Sequence, residues 1–108
     1  MVSFKTKDGK QIDLTFTRRT ALIAEKKGLN VTGDVFETMP MNSIEILFTT
    51  AFEANHSNLS NDKRLDIIES LGNKEGLITA LITEFANAYN TLMSEPDEKN
   101  AVKWEVTE

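Results

Sequence analysis

The chain has 108 residues, of which 40% are hydrophobic and 27% charged, with a net charge of −5 and no cysteine. These values predict one globular domain and exclude a disulfide framework or a thiolate metal site. No stretch approaches the ~20 apolar residues of a membrane span, and the first residues lack the apolar centre of a signal peptide, so we expect a soluble intracellular protein.

The first predicted element is a β-hairpin, because apolar and polar residues alternate on both sides of Asp8-Gly9. A two-residue loop would place Phe4 opposite Asp13 and mix apolar with charged side chains on one face. A three-residue loop with Gly9 in the left-handed conformation places Phe4 opposite Ile12, and we favour it. The face that we expect helices to cover contains Val2, Phe4, Ile12, Leu14 and Phe16.

A short helix is predicted next, with Thr17 as its N-cap and Gly28 just after its end. Ala21 and Leu22 belong to its narrow apolar stripe. The helix is about three turns long and is expected to pack through that stripe.

Arg18 and Arg19 occupy the first turn of this helix, where the helix dipole opposes positive charge. Residues 1–30 hold seven basic and three acidic groups, a balance of +4, whereas residues 31–108 hold five basic and fourteen acidic groups, a balance of −9. The uneven charge suggests contact with a partner or between copies of the chain. The alternative is an unevenly charged, solvated surface.

The most convincing helix follows a single helical turn predicted at residues 34–37. Asn42 and Glu45 have the spacing of a capping box at its start. Ile46 lies off the apolar stripe and suggests a second contact surface. The stripe itself contains Ile44, Leu47, Phe48, Ala51 and Phe52.

Two more helices are predicted, capped by Ser60 and Asn73. The inward residues of the first are Leu65, Ile68 and Leu71. One face of the second contains Leu77, Leu81, Ala88 and Leu92, and its wider stripe adds Ile78, Ile82, Phe85, Tyr89 and Met93. Because one neighbour cannot cover so broad a stripe, this helix is either central to the bundle or also an interface, with Tyr89 as a candidate contact.

After Met93 the composition changes to an acidic linker that contains Pro96. Val102, Trp104 and Val106 then alternate with polar residues, as in a strand. They could form an extra strand on their own domain or contact a partner or a second copy, and the third alternative is disorder. The sequence thus predicts an α+β fold, with a hairpin packed on about four helices at residues 1–93 and an acidic tail at 94–108.

The chain contains few side chains that could take part in catalysis. His56 is the only histidine and lies in a polar stretch, where an ordinary loop residue is expected. Asp66 and Glu69 share a polar helix face, and no glycine-rich phosphate loop is present. We therefore expect no enzyme activity, metal or cofactor. A small regulatory protein that binds nucleic acid through the hairpin lysines, Arg18 and Arg19 is the alternative, although the acidic body opposes it.

Several stretches together resemble the tail assembly chaperones of long-tailed, siphovirus-type phages and prophages of Gram-positive bacteria. They are DGKQIDLTFTRRTALIAEKKGLNV, SIEILFTTAFEANHSNLSNDKRLDIIESLG and the long final helix. The family pattern begins with a G-K-x-Y/I-x-L-x-F strand and a short helix ending in G-(L/I)-(N/D). An apolar helix with a central small residue follows, and then an N-L-(S/T)-x-(D/E) loop that enters an (L/V)-x-(D/E)-(I/L)-(I/L) helix. The resemblance covers residues 4–93, and its motifs are structural rather than catalytic.

The resemblance implies a self-associating chaperone that binds the tape measure protein in the host bacterial cytoplasm, keeps it soluble and is absent from the mature virion. It also implies a longer product, made by ribosomal frameshifting, that recruits the tail tube protein. Lys99-Asn100 is compatible with a slippery codon heptamer. Binding of a client helix in an apolar groove beside the second or the final helix is the expected mode.

Overall fold

The structure is a computed structural model that describes residues 1–29 and 40–107. Within them the chain forms two strands and four helices, and the predicted α+β fold is confirmed. The helical turn predicted at residues 34–37 lies outside the described residues. The elements are β1 (Val2–Lys5), β2 (Gln11–Leu14), α1 (Arg18–Lys26), α2 (Met41–Thr50), α3 (Asn61–Glu69) and α4 (Lys74–Met93).

The hairpin has the predicted register, with Phe4 opposite Ile12. Gly9 has a φ of 84°, the left-handed conformation that the three-residue loop needs. The N–H of Thr6 donates to the carbonyl oxygen of Lys10 at 2.9 Å and closes the loop. Alternation thus fixes which face is apolar, and Ile12 is fully buried on it.

The turn that follows α2 forms hydrogen bonds with the backbone of β2 and of the residue just after it. The N–H of Thr15 donates to the carbonyl of Ala51 at 3.1 Å, and the N–H of Asp13 donates to Nε2 of His56 at 3.0 Å. The amide of Asn55 donates to the carbonyl of Asp13 at 3.3 Å. His56 lies in a loop, as expected, but its ring is half-buried rather than exposed and links the hairpin to the helical layer.

α1 begins at the predicted N-cap. The N–H of Thr20 donates to Oγ1 of Thr17 at 3.2 Å, and the N–H of Thr17 donates to Oγ1 of Thr20 at 2.9 Å, which completes a capping box. Gly28 ends the helix with a φ of 108°. The helix buries Ala21 and Ala24, but Leu22 is half exposed, contrary to the predicted stripe.

α2 is the central helix, because it packs against α1, α3 and α4. Its N-cap is Pro40, so the predicted capping box of Asn42 and Glu45 was wrong. Ile46 is only 8% exposed and belongs to the core, which contradicts its proposed role on a contact surface. A helix with neighbours on several sides buries residues beyond one stripe, and this is why periodicity misplaced Ile46.

Ser60 and Asn73 cap α3 and α4 as predicted, since their side chains accept the N–H groups of Lys63 and Gly76. The core joins both layers of the fold. Its buried apolar residues include Ile12, Leu14, Phe16, Ala24, Leu47, Phe48, Ala51, Phe52, Ile68, Leu77, Leu81 and Ala88. The side chain of Leu92, predicted on the inner face of α4, lies outside the described part of the chain.

The tail does not add a strand within residues 94–107. Val102, Trp104 and Val106 are 92%, 83% and 79% exposed, so the interpretation of the tail as a cover for its own domain was wrong. The physical reason is that alternation makes an apolar face without supplying the neighbour that would bury it.

Candidate functional site

An open groove of about 740 Å³ lies between α1 and the second half of α4. Its volume is in the range of pockets that bind organic ligands or large side chains. Its lining residues are Thr17, Arg18, Arg19, Ala21, Leu22, Glu25, Phe85, Ala88 and Tyr89.

The groove presents apolar side chains to solvent. Leu22 of α1 is 50% exposed and Tyr89 of α4 is 56% exposed. Met93, one helical turn beyond Tyr89, is also exposed and extends the apolar face of α4 past the groove. Exposed apolar side chains that lie together in a groove are candidates for contact with a partner.

Residues of the groove pack directly on the hydrophobic core. The ring of Phe85 meets that of Phe16 edge to face, with centroids 5.5 Å apart and an interplanar angle of 87°. Ala21 and Ala88 are small buried residues where α1 and α4 pack together. The Thr17 capping box fixes the direction in which α1 leaves the hairpin. The two walls of the groove are therefore helices, α1 on one side and α4 on the other.

The charges of the groove are concentrated at the start of α1. Arg18 and Arg19 are exposed, and neither forms an ion pair with a residue that the structure describes. The amino end of the helix adds a partial positive charge at the same place. Glu25 lies two turns along α1, at the other end of the lining. The arrangement favours an occupant that is apolar along its length and acidic near α1's start.

The structure brings three of the predicted contact residues together: Arg18, Arg19 and Tyr89. Ile46 is in the core, and the tail residues do not line this groove. Sequence reasoning missed Leu22, which it assigned to the packed stripe of α1. It included Phe85 in the wide stripe of the final helix, a candidate groove, but it could not show which part of that stripe stays uncovered.

The exposed tail residues lie beside their own linker. Val102 and Trp104 line a shallow depression with Glu95, Pro96, Ala101 and Lys103. The N–H of Asn100 donates to the carbonyl of Asp97 at 2.8 Å and turns the linker. The apolar stripe of the tail is therefore presented to solvent.

The titratable groups with shifted pKa values belong to the hairpin. Hydrogen bonds from Gln11 at 3.1 Å and Ser3 at 2.8 Å hold the pKa of the Asp13 carboxyl below its ordinary value. A hydrogen bond from Thr6 likewise lowers the pKa of Asp8. Both stabilise the hairpin. Among residues 1–29 and 40–107, no group of three or more His, Asp or Glu side chains could hold a metal ion.

The chain forms a small α+β domain with an apolar groove edged by arginines. The chain belongs to a family described as a domain of unknown function (DUF5055), which matches residues 1–107. No curated protein and no solved structure matches the chain. Over the described residues, each helix is too short or too polar to cross a membrane.

Proposed function

We propose that this protein is a non-catalytic tail assembly chaperone of a long-tailed phage or prophage, which binds the tape measure protein and keeps it soluble during tail assembly. The groove between α1 and α4 is the observation that carries the proposal. A second support is the resemblance of residues 4–93 to such chaperones.

The groove suits an amphipathic helical segment of a client. Two helices form its walls, and Leu22, Phe85 and Tyr89 offer the apolar surface onto which a client's apolar face would pack. A tape measure protein is long and has to be kept soluble during tail assembly. Covering its apolar segments would prevent their association with one another.

Three further features belong to this proposal. The protein self-associates, acts in the bacterial cytoplasm and leaves before the virion is complete. A longer product made by frameshifting near Lys99-Asn100 brings tail tube protein to the complex. The exposed, acidic linker that begins after Met93 supports a junction of this kind, because added chain there would not disturb the core.

The test is co-expression with the tape measure protein encoded in the same phage or prophage genome. The wild-type chain is expected to increase the soluble fraction of the tape measure protein and to co-purify with it. Leu22→Glu places a charge on the groove floor and should abolish both effects. Met41→Glu is the matched control, because Met41 is 82% exposed on α2 and does not line the groove.

The outcomes separate the function from the site. A wild-type chain that neither solubilises nor binds the tape measure protein would reject the chaperone function. Equal activity of the Leu22→Glu and wild-type chains would reject the groove. A longer product, detected by blotting a tagged gene with its native downstream DNA and abolished by silent changes in the Lys99-Asn100 codons, would support the frameshift.

The nucleic-acid alternative is supported by the exposure of Arg18 and Arg19 together at one helix start. Their position beside an apolar floor favours a protein occupant, since phosphates are bound by polar donors. Salt-dependent retention of the wild-type chain on duplex DNA, lost in an Arg18→Glu/Arg19→Glu variant, would favour the alternative.

A further inference from the structure

We infer that the groove of one copy binds the C-terminal tail of a second copy, with Trp104 inserted between α1 and α4. This head-to-tail contact rests on the self-association in the proposed function and specifies its surfaces. Its test needs no tape measure protein, so it can fail while binding of the tape measure protein stands.

The tail carries exposed apolar side chains that match the apolar lining of the groove. Trp104 is 83% exposed, and Val102 and Val106 flank it at positions that an extended backbone would place on the same side. Trp and Tyr are the residues most often found at the centre of protein interfaces, where they bury large areas at a small entropic cost. Packing of Trp104 against Leu22 and Tyr89 would remove exposed apolar surface from both partners at once.

The charges of the two surfaces are complementary. Residues 94–108 contain five acidic and two basic groups, a balance of −3. The groove carries Arg18 and Arg19 next to the positive end of α1. In an extended tail Glu105 points away from the side that carries Trp104, so the electrostatic attraction comes from the net negative charge of the tail. An arginine over the indole ring of Trp104 adds a cation–π attraction.

A second copy is a better source of the tail than the same chain. Pro96 and the Asp97–Asn100 turn lay the tail against its own linker, and among residues 94–107 none lines the groove. Each copy therefore presents one open groove and one projecting tail. The +4 and −9 charge balances of residues 1–30 and 31–108 also favour attraction between copies.

A contact between two different surfaces of the same chain can be repeated from each copy to the next. Every copy that offers its tail keeps a free groove, and every copy that offers its groove keeps a free tail. Such heterologous contacts produce rings or open chains rather than closed two-fold dimers. The tail of a neighbour and the helix of a client would then compete for one groove.

The test uses two variants that each damage one half of the contact. Trp104→Ala removes the anchor of the tail, and Leu22→Glu blocks the groove; both positions are exposed, so the fold is preserved. Sedimentation velocity over a wide range of concentration is expected to show concentration-dependent oligomers for the wild-type chain. Each variant alone should self-associate at least about tenfold more weakly.

Mixing the two variants is the decisive measurement. A Trp104→Ala chain retains its groove and a Leu22→Glu chain retains its tail, so the mixture should form a one-to-one heterodimer that grows no further. Trp104 is the only tryptophan, and the emission of the Leu22→Glu chain should shift to shorter wavelength when the Trp104→Ala chain is added. Met41→Glu and Lys63→Ala, which change exposed residues of α2 and α3 outside the contact, should assemble like the wild type.

Three results would overturn the inference. The first is a wild-type chain that stays monomeric at every concentration, which would assign the groove to its own tail or to another protein. The second is assembly of both variants at wild-type strength. The third is a mixture of the two variants that remains monomeric although the wild-type chain assembles.

Discussion

Arg64 shows how one side chain joins three segments of the fold. Its side chain is almost completely buried, yet it donates to the carbonyls of Leu59 and Thr49, each at 2.9 Å, and to the carboxylate of Glu53 at 3.0 Å. The guanidinium also lies 6.0 Å from the centre of the Phe52 ring. It thereby ties the end of α2 and the following turn to α3.

We expect Arg64→Ala to lower the free energy of unfolding by about 3 kcal/mol, because it leaves buried carbonyls without donors. Arg64→Lys should also destabilise the protein, since a lysine ammonium cannot reproduce the planar arrangement of N–H donors in the guanidinium. Lys63→Ala, at an exposed neighbouring position, is the control. Urea denaturation of the three variants checks this, and an unchanged midpoint for Arg64→Ala would contradict it.

Thr49 and Thr50 are adjacent buried residues with opposite hydrogen-bonding states. Oγ1 of Thr49 donates to the carbonyl of Glu45 at 2.8 Å. Oγ1 of Thr50 has no hydrogen-bond partner in the described part of the chain. A buried, unpartnered hydroxyl costs free energy that a methyl group of the same size does not.

Thr50→Val is therefore expected to stabilise the protein by about 1 kcal/mol. Thr49→Val should fail to stabilise it, because that substitution removes a bond already made. Thermal unfolding of the pair provides the measurement, and a lower melting temperature for Thr50→Val than for the wild type would show that its hydroxyl is satisfied.

Asp13 gives a pH dependence with a definite sign. The pKa of its carboxyl is lowered by the bonds from Gln11 and Ser3, so folding favours the ionised form. The resulting stability is fully present above the pKa of an unfolded aspartate, about 4, and is lost as the pH falls through the lower folded value. We expect Asp13→Asn to flatten the decline of melting temperature below about pH 4.

At the scale of elements, α1 combines a good cap with an unfavourable charge. The Thr17 capping box stabilises its start, but its first turn holds Arg18 and Arg19 and no acidic residue. Positive charge at this end costs stability. A role in contact would account for arginines that the helix itself disfavours.

Arg18→Glu/Arg19→Glu is accordingly expected to raise the free energy of unfolding by about 1 kcal/mol while it weakens self-association. Lys26→Glu, at the opposite end of α1, should lower stability and leave association unchanged. Parallel thermal unfolding and sedimentation measurements test this. A double variant that loses both stability and association would indicate that the arginines act through the fold alone.

At the scale of the molecule, the folded domain and the tail are energetically separate. The apolar residues of the tail are exposed, and the core lies in the hairpin and the four described helices. The principal extents of 56, 32 and 23 Å describe an elongated particle.

Removal of residues 94–108 should consequently change the melting temperature of the monomer by no more than about two degrees, since changes at exposed positions alter the free energy of unfolding only slightly. Measured at a concentration where the wild type is monomeric, the shortened chain should also have a smaller hydrodynamic radius. A large fall in melting temperature would mean that the tail packs on its own domain.

The sequence by itself determined the local structure of this protein. The hairpin register, the caps at Thr17, Ser60 and Asn73, and the break after Met93 depend on neighbouring residues or on the alternation of two adjacent strands, so their signals are contained in short stretches. The tertiary structure alone decided that α2 is central, that Ile46 and Arg64 are buried, and that Arg18, Leu22 and Tyr89 meet in a groove. Each of these depends on how many neighbours surround a helix and on contacts between distant segments. Periodicity can show that a face is apolar, but only packing decides what covers it.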